Sequence, residues 1–233
     1  MIVIVPPSDG KVKIRKPLPV KFEETDFPLI EGVEQIISLL SLIHENDLKS
    51  VYGTSKEKAL KYHRQNQDAL NSRVWPAIDR YTGVVYEHID WPTLSLEARD
   101  YMEEHMRILS GLFGVVTPQT LVPDYKLKMN ILSVQYHWKP IISELFKDEE
   151  LIIDLLPQVH RKTYNPIKEN TIEIEFVVMN KGKKTTAGHY GKAVKGEFIR
   201  YMAENNVQSV DEFEGFEYEG FKWDGKIFVK IED

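Results

Sequence analysis

The sequence predicts a single domain of the α+β or irregular α/β class, organised on a mixed sheet rather than a doubly wound one. Three observations carry that reading. A short β-branched run, Ile2–Val5, is closed by Pro6-Pro7, the pattern of a strand covered on both faces. Helical periodicities and strand-like runs are mixed along the chain without strict strand–helix alternation. Asp224-Gly225, the dipeptide best suited to the positive φ angles of a tight hairpin, separates two apolar-aromatic stretches. The length of 233 residues, with 42% hydrophobic and 28% charged side chains, is ordinary for a globular fold. One domain over 1–233 would bury roughly three quarters of its unfolded surface. No repeat, low-complexity tract or Gly/Ser linker divides it.

In chain order, Val33, Ile36, Ile37, Leu40 and Ile43 recur at helical spacing. Ala59, Tyr62, His63, Asn66, Ala69 and Leu70 form a second helix opening near Thr54-Ser55. A third helix takes Ser95 as N-cap, places Ala98, Met102, Met106 and Leu109 on one face and stops at Gly111. Residues 131–138 and 151–156 read as strands, the second buried and interrupted by Asp154. Ile172, Ile174, Phe176 and Val178 alternate with polar residues as one half-buried strand, turned by Asn180-Lys181-Gly182-Lys183 and followed by a helix over residues 190–205. Residues 216–223 and 226–231 close the chain as an antiparallel edge hairpin.

Composition bounds the chemistry. With no cysteine in the chain, disulfides, thiolate metal sites and thiol redox sensing are excluded, and a cytoplasmic location is expected. The four-residue run Ile2–Val5 is too short for a signal-peptide core or a membrane span. A net charge of -6 gives no global attraction for nucleic acid, so an anion site must be local. No catalytic triad order, His-x-x-x-His, carboxylate-rich metal spacing or dinucleotide glycine fingerprint occurs. No metal or cofactor is expected, and the sequence leaves oligomeric state open.

Three segments could hold an anion. Pro6-Pro7-Ser8-Asp9-Gly10-Lys11 leaves the first strand and offers a hydroxyl, a carboxylate, amides and an ammonium where open sheets place ligand loops. Gln158-Val159-His160-Arg161-Lys162-Thr163-Tyr164 leaves the 151–156 strand in the same way, and the two loops converge if those strands are parallel. Gly188-His189-Tyr190-Gly191 precedes a helix on which Val194, Phe198, Tyr201 and Met202 face the core while Lys192, Lys195 and Arg200 share the other side. A helix N-terminus fronted by glycines suits a phosphate or carboxylate. Solvated turns and a lysine-rich solvent face are the alternatives. Arg107, Ser110, Gly111 and Gly114, followed by Thr117-Pro118 as an N-cap and first helical position, outline a helix-hairpin-helix whose turn amides could meet DNA phosphates; Gly111 as an ordinary helix C-cap is the alternative.

These segments resemble the YaaA family (DUF328, UPF0246) of peroxide-stress proteins. The opening Ile2 to Lys11 stretch, the Ala77-Ile78-Asp79-Arg80-Tyr81-Thr82-Gly83 block, and His105 to Val116 continued by Pro118 and Pro123-Asp124-Tyr125-Lys126-Leu127-Lys128-Met129 are similar to family signatures in order and spacing. Trp138 and Gly220-Phe221 follow in family order. The resemblance implies a fold of helices and a curved sheet around a positively lined cleft, with DNA binding through a hairpin-like element. It implies a role in surviving hydrogen peroxide by limiting iron-dependent damage. Two partner classes remain: non-specific DNA, or an anionic small molecule, the substrate of an enzyme in the alternative reading, held by Ser8, Asp9, Lys11, Tyr81, Arg161, Lys162, His189, Tyr190, Lys192, Lys195 and Arg200.

Overall fold

A strand as apolar as Ile2–Val5 is stable only where neither its faces nor its edges meet water, and it is buried along its whole length. A computed structural model, which describes residues 1–188 and 190–232, places it at the centre of a five-stranded sheet. The strands are β1 (Ile2–Val5), β2 (Trp75–Pro76), β3 (Met106–Ser110), β4 (Gly114–Val116), β5 (Leu121–Val122), β6 (Ile152–Asp154), β7 (Thr171–Glu173), β8 (Phe176–Asn180), β9 (Lys183–Thr186), β10 (Glu217–Tyr218), β11 (Phe221–Trp223) and β12 (Phe228–Glu232). The α-helices are α1 (Ile30–Ser41), α2 (Leu48–Tyr52), α3 (Lys56–Gln67), α4 (Ala77–Arg80), α5 (Val84–Ile89), α6 (Leu96–His105), α7 (Val134–Leu145), α8 (Gln158–Arg161) and α9 (Tyr190–Glu204).

The first sheet runs β4-β3-β1-β6-β7, with β1 parallel to β3 and β6, β7 parallel to β6, and β4 antiparallel to β3. The second runs β10-β11-β12-β8-β9, parallel between β12 and β8 and antiparallel elsewhere. A short ribbon pairs β2 with β5. The fold is thus the mixed α/β domain expected. The parallel orientation of β1 and β6, required for their exit loops to converge, holds.

Several local expectations also hold. Ser55 and Ser95 cap α3 and α6, accepting from the Lys58 and Ala98 amides at 3.4 and 3.2 Å. Lys181 (φ 48°) and Gly182 (φ 75°) make the β8–β9 turn. Asp224 accepts from the Lys226 and Ile227 amides at 2.9 and 2.8 Å, holding the β11–β12 turn beside Gly225.

Four expectations need correction. The third helix stops at His105, not Gly111, because Met106–Ser110 satisfies its backbone against β1 and is covered on both faces as strand β3. Its buried residues fit a two-sided strand as well as a helical stripe, so apolar spacing could not separate them. Residues 131–138 lead into helix α7, where Val134, Trp138 and Ile142 recur every four positions and all are buried. The alternating run through Ile172 and Val178 is two strands: the chain leaves the first sheet at Glu173 and enters the second at Phe176. Strand β12 is the middle of the second sheet and not an edge, since β8 pairs along its free side.

Helix α9 links this second sheet to the rest. Phe198 packs on Phe213, Phe216 and Phe228 with ring centroids 5.0, 5.2 and 4.8 Å apart. Gly196 lets α9 cross α5 closely, for a Cβ there would stand 2.4 Å from the Val85 carbonyl oxygen. Among the described residues no helix is long and apolar enough to cross a membrane. Gly196→Ala should push α9 from α5 and lower stability by about 2 kcal/mol. Urea denaturation of the two proteins checks this, an unchanged midpoint meaning that the crossing has slack.

Candidate functional site

The loop after β1 is pinned rather than free. Ser8 Oγ lies within hydrogen-bond reach of the Gly10 carbonyl (2.8 Å) and the Thr82 carbonyl, and accepts from the Thr82 amide at 3.2 Å. Lys11 and Tyr81 form a backbone bridge, and the Val12 amide donates to the Arg80 carbonyl at 2.8 Å. The Ser8 hydroxyl is therefore a clamp between two loops, with its proton directed at a carbonyl and not at a base that could activate it. Lys126 holds the next residue, its ammonium 3.1 Å from the Asp9 carboxylate. Burial raises the Asp9 pKa, but the hydrogen bond and charge of Lys126, with Lys128 and Lys11, outweigh it and leave Asp9 below its ordinary value and ionised.

The loop after β6 is organised by Asp154, whose side chain is 0% exposed. It accepts from the Leu156 amide at 2.7 Å, the Arg161 Nε at 3.2 Å and the Tyr164 hydroxyl at 2.7 Å. Arg161 also meets Glu173 at 2.8 Å. The sequence marks Asp154 only as a charge interrupting an apolar strand, which is the signal of a buried carboxylate that needs a cationic partner.

Both loops and the first turn of α9 wall a cavity of about 650 Å³. Ser8, Asp9, His160, Arg161, Lys192 and Lys195 line it, opposite apolar surface from Val85, Phe176 and Val177. Lys195 donates to the Leu155 carbonyl. Burial brings its pKa down to about 8, Asp154 opposing and Arg161 and Lys192 assisting. Burial likewise lowers the His160 pKa, with Asp9 opposing and Lys195 assisting, so the imidazole is mostly neutral at pH 7. Its Nδ1 is buried without a hydrogen-bond partner. A second cavity of about 220 Å³ adjoins, sharing Pro7, Ser8, Asp9 and His160 and adding Lys11, Lys126 and Lys128. Its inner side holds a hydroxyl chain in which Ser110 Oγ lies 2.8 Å from the Tyr125 hydroxyl and that lies 2.7 Å from the Tyr81 hydroxyl. Burial raises the Tyr81 and Tyr125 pKa values, the latter to about 12, so both phenols stay protonated.

The structure therefore brings together Ser8, Asp9, Arg161, Lys192 and Lys195, with Lys11 in the adjoining cavity; Tyr81 lines neither cavity and is buried behind Tyr125. It does not bring Lys162, Tyr190 or Arg200 to either cavity. Lys162 is exposed. Tyr190 is 65% exposed, with the Lys230 ammonium 5.7 Å from its ring centroid. Arg200 is committed to the Thr93 hydroxyl at 2.8 Å and the Glu204 carboxylate at 2.7 Å. His189 lies outside the described residues. Thr82, Lys126 and Lys128 are wall residues that site reasoning from sequence passed over, and His160 comes from the loop that it named.

The Gly111–Gly114 turn joins strands β3 and β4, and Thr117-Pro118 opens a turn, not a helix. All four turn residues are buried. A Cβ on Gly111 would come 2.4 Å from the Leu127 carbonyl oxygen, and one on Gly114 (φ 70°) 2.6 Å from the Trp138 ring, while the Trp138 indole donates to the Gly111 carbonyl at 2.9 Å. These glycines serve close packing, and their amides do not face solvent phosphates. Ser110 belongs to the hydroxyl chain, and Arg107 donates to the Glu103 and Met106 carbonyls at 3.3 and 3.0 Å.

Comparison with known proteins agrees with the resemblance. A family model described as Peroxide stress protein YaaA matches residues 1–227. The chain is 30% identical to a UPF0246 protein of Streptococcus pneumoniae serotype 4 (strain ATCC BAA-334 / TIGR4), over 88% of this chain and 94% of that one. It is 29% identical to UPF0246 protein spr1405 of Streptococcus pneumoniae (strain ATCC BAA-255 / R6), with the same coverage. The chain belongs to the YaaA peroxide stress family.

Removing the Asp154 carboxylate strands the Arg161 guanidinium, whose side chain is only 10% exposed. Asp154→Ala is expected to cost about 3–5 kcal/mol, measured by chemical denaturation. A loss below about 1 kcal/mol would mean that water or Glu173 takes over.

Proposed function

We propose that this chain serves a cytoplasmic response to hydrogen peroxide, limiting iron-dependent damage, by holding a phosphorylated or carboxylated small molecule in the larger cavity. The observation that supports this reading is the convergence of the β1 and β6 loops with the first turn of α9 on one half-open cleft of about 650 Å³, flanked by Lys192, Lys195 and Arg161. That volume is typical of small-ligand sites, as is an apolar wall facing a few polar groups. Arg161 is already neutralised by Asp154 and Glu173, so Lys192 and Lys195 supply the charge for an anion. The ionised Asp9, which lines the same cavity, orients a ligand hydroxyl or ammonium. Whether the molecule is stored or transformed turns on His160, a mostly neutral imidazole able to take a proton there.

Non-specific DNA binding is the second reading, favoured by the exposed Lys128 and half-buried Lys126 bordering the neighbouring cavity. The net charge of -6 and the buried glycine turn weigh against it.

Titration calorimetry with inorganic phosphate, glycerol 3-phosphate and adenosine monophosphate should detect saturable binding to one site, weakened roughly 10- to 100-fold in the Lys192→Ala/Lys195→Ala double variant. Fluorescence anisotropy with labelled duplex and single-stranded DNA at low and moderate salt runs beside it. Salt-sensitive DNA binding without small-anion binding would replace the first reading with the second.

The pH dependence has a definite sign. Free Lys195 loses its proton near pH 8, and an anion binds the ammonium. Affinity is therefore full below pH 7 and falls as pH rises through 8, with proton uptake on binding at pH 8. Calorimetry in two buffers of different ionisation enthalpy measures that uptake. A flat affinity from pH 6.5 to 9 would place the anion away from Lys195.

A further inference from the structure

Lys11 lies in the smaller cavity on a loop that cannot swing away. Its own backbone pairs with Tyr81, the preceding Gly10 carbonyl accepts from the Thr82 amide at 3.2 Å, and the following Val12 amide is bonded to Arg80. Its Nζ stands 4.0 Å from the Tyr125 ring centroid and 5.2 Å from that of Tyr81, and donates to the Ser8 carbonyl at 3.2 Å. No carboxylate is ion-paired with it among the described residues, for Asp9 is taken by Lys126. An amine fixed this way, at the wall of a cavity and unpaired, has a geometry that anion binding alone does not call for.

We propose that Lys11 is a nucleophilic amine that forms a reversible imine with an aldehyde or ketone carrying a carboxylate or phosphate. The proposal concerns the smaller cavity and stands whether or not the larger one takes an anion. Three observations combine in it. The amine borders an open space of about 220 Å³, enough for a compact metabolite. Lys128, exposed and without an ion-pair partner among the described residues, borders the same space and is placed to meet the anionic end of that molecule. Asp9 and His160 line it too, a carboxylate and an imidazole to relay protons.

The protonation state agrees with the geometry. Burial is the largest influence on the Lys11 amine; Lys126 and Arg80 also disfavour its charge, Asp124 and Asp9 favour it, and the balance lies at about 7. The faces of Tyr81 and Tyr125 act in the cation's favour and hold the ammonium fraction in place. A substantial share of the Lys11 amines is thus unprotonated near pH 7, where an ordinary lysine is almost wholly protonated.

In the reaction the Nζ lone pair adds to the carbonyl carbon while the C=O π pair moves to oxygen, which takes up a proton. The nitrogen of this carbinolamine passes a proton to Asp9 or His160. It then pushes out the hydroxyl, protonated, as water, and the C=N bond forms. Overall one amine, one carbonyl compound and one proton give one iminium and one water, and hydrolysis reverses it. No oxidant or further reactant is consumed.

The test uses the full chain, glyoxylate as the carboxylated aldehyde and butanal as the uncharged one, with sodium cyanoborohydride to reduce any imine formed. Peptide mass mapping follows each lysine, and the exposed Lys13 two positions on serves as internal reference. At pH 7 glyoxylate should modify Lys11 on the order of 100-fold faster than Lys13, the lower basicity of the amine giving back part of its larger free fraction. The Lys11 rate should rise with a midpoint near pH 7, and butanal should lack most of the preference. Lys11→Arg should lose the fast adduct and retain the slow surface labelling. Lys11 reacting no faster than Lys13 would overturn the proposal on the unaltered protein, whatever the variant does. Equal preference with butanal would overturn the assignment of an anionic substrate.

Discussion

A carboxylate with no exposure to water must be surrounded by donors or it will not stay ionised, and Asp154 at the end of β6 is surrounded by three: the Leu156 amide, the Arg161 guanidinium and the Tyr164 hydroxyl. That requirement fixes far more than one side chain. It holds the chain after β6 back toward the strand's end and keeps His160 and Arg161 at the cavity. It also takes up the charge of Arg161. What the sequence presents as a cluster of cations leaving a strand becomes a structural ion pair and a histidine, and cation chemistry passes to the lysines of other segments.

The cations of this protein fall into two physical kinds. Arg161 and Arg200 meet carboxylates and backbone carbonyls at 2.7–3.7 Å and hold segments together. Lys11 and Lys195 are half-buried with only carbonyl oxygens as hydrogen-bond acceptors, which lets desolvation drag their proton affinity toward neutrality. The division follows the chemistry of the groups. A guanidinium keeps its charge wherever it is put and so needs a partner, whereas an ammonium can lose its proton and be tolerated half paired.

The sequence was legible wherever a single residue type dictates local geometry. Ser55, Ser95, Lys181-Gly182 and Asp224-Gly225 announce caps and turns that the backbone adopts, and the β-branched Ile2–Val5 announces the central strand. It misled where two periodicities coincide. Met102, Met106 and Leu109 fit a helical stripe, yet Met106 and Leu109 belong to a strand buried on both faces, a distinction that depends on β1 more than 100 residues earlier. The same long-range dependence hides the site. Ser8 meets Thr82, and Asp9 meets Lys126, contacts that no window of neighbouring residues reveals. Glycines invited the largest misreading: at Gly111 and Gly114 the sequence suggests amides offered to a ligand, and the structure uses the missing side chains to admit Leu127 and Trp138.

The placement of β1 and β12 has a consequence for how the protein is made. Strand β1 is flanked by β3 and β6, and β12 completes the second sheet beside β8. At translation speeds of about 5–20 residues per second, β1 waits on the order of ten seconds before the β6 segment exists, and the edge that β6 will take is unpaired until then. The second sheet is drawn entirely from residues 176–232 and can close as soon as β12 exists, whereas the first cannot close before β6 and β7 are made. The ribosome therefore delivers a chain whose central strand is completed late, after an interval in which one apolar edge stays open to wrong partners.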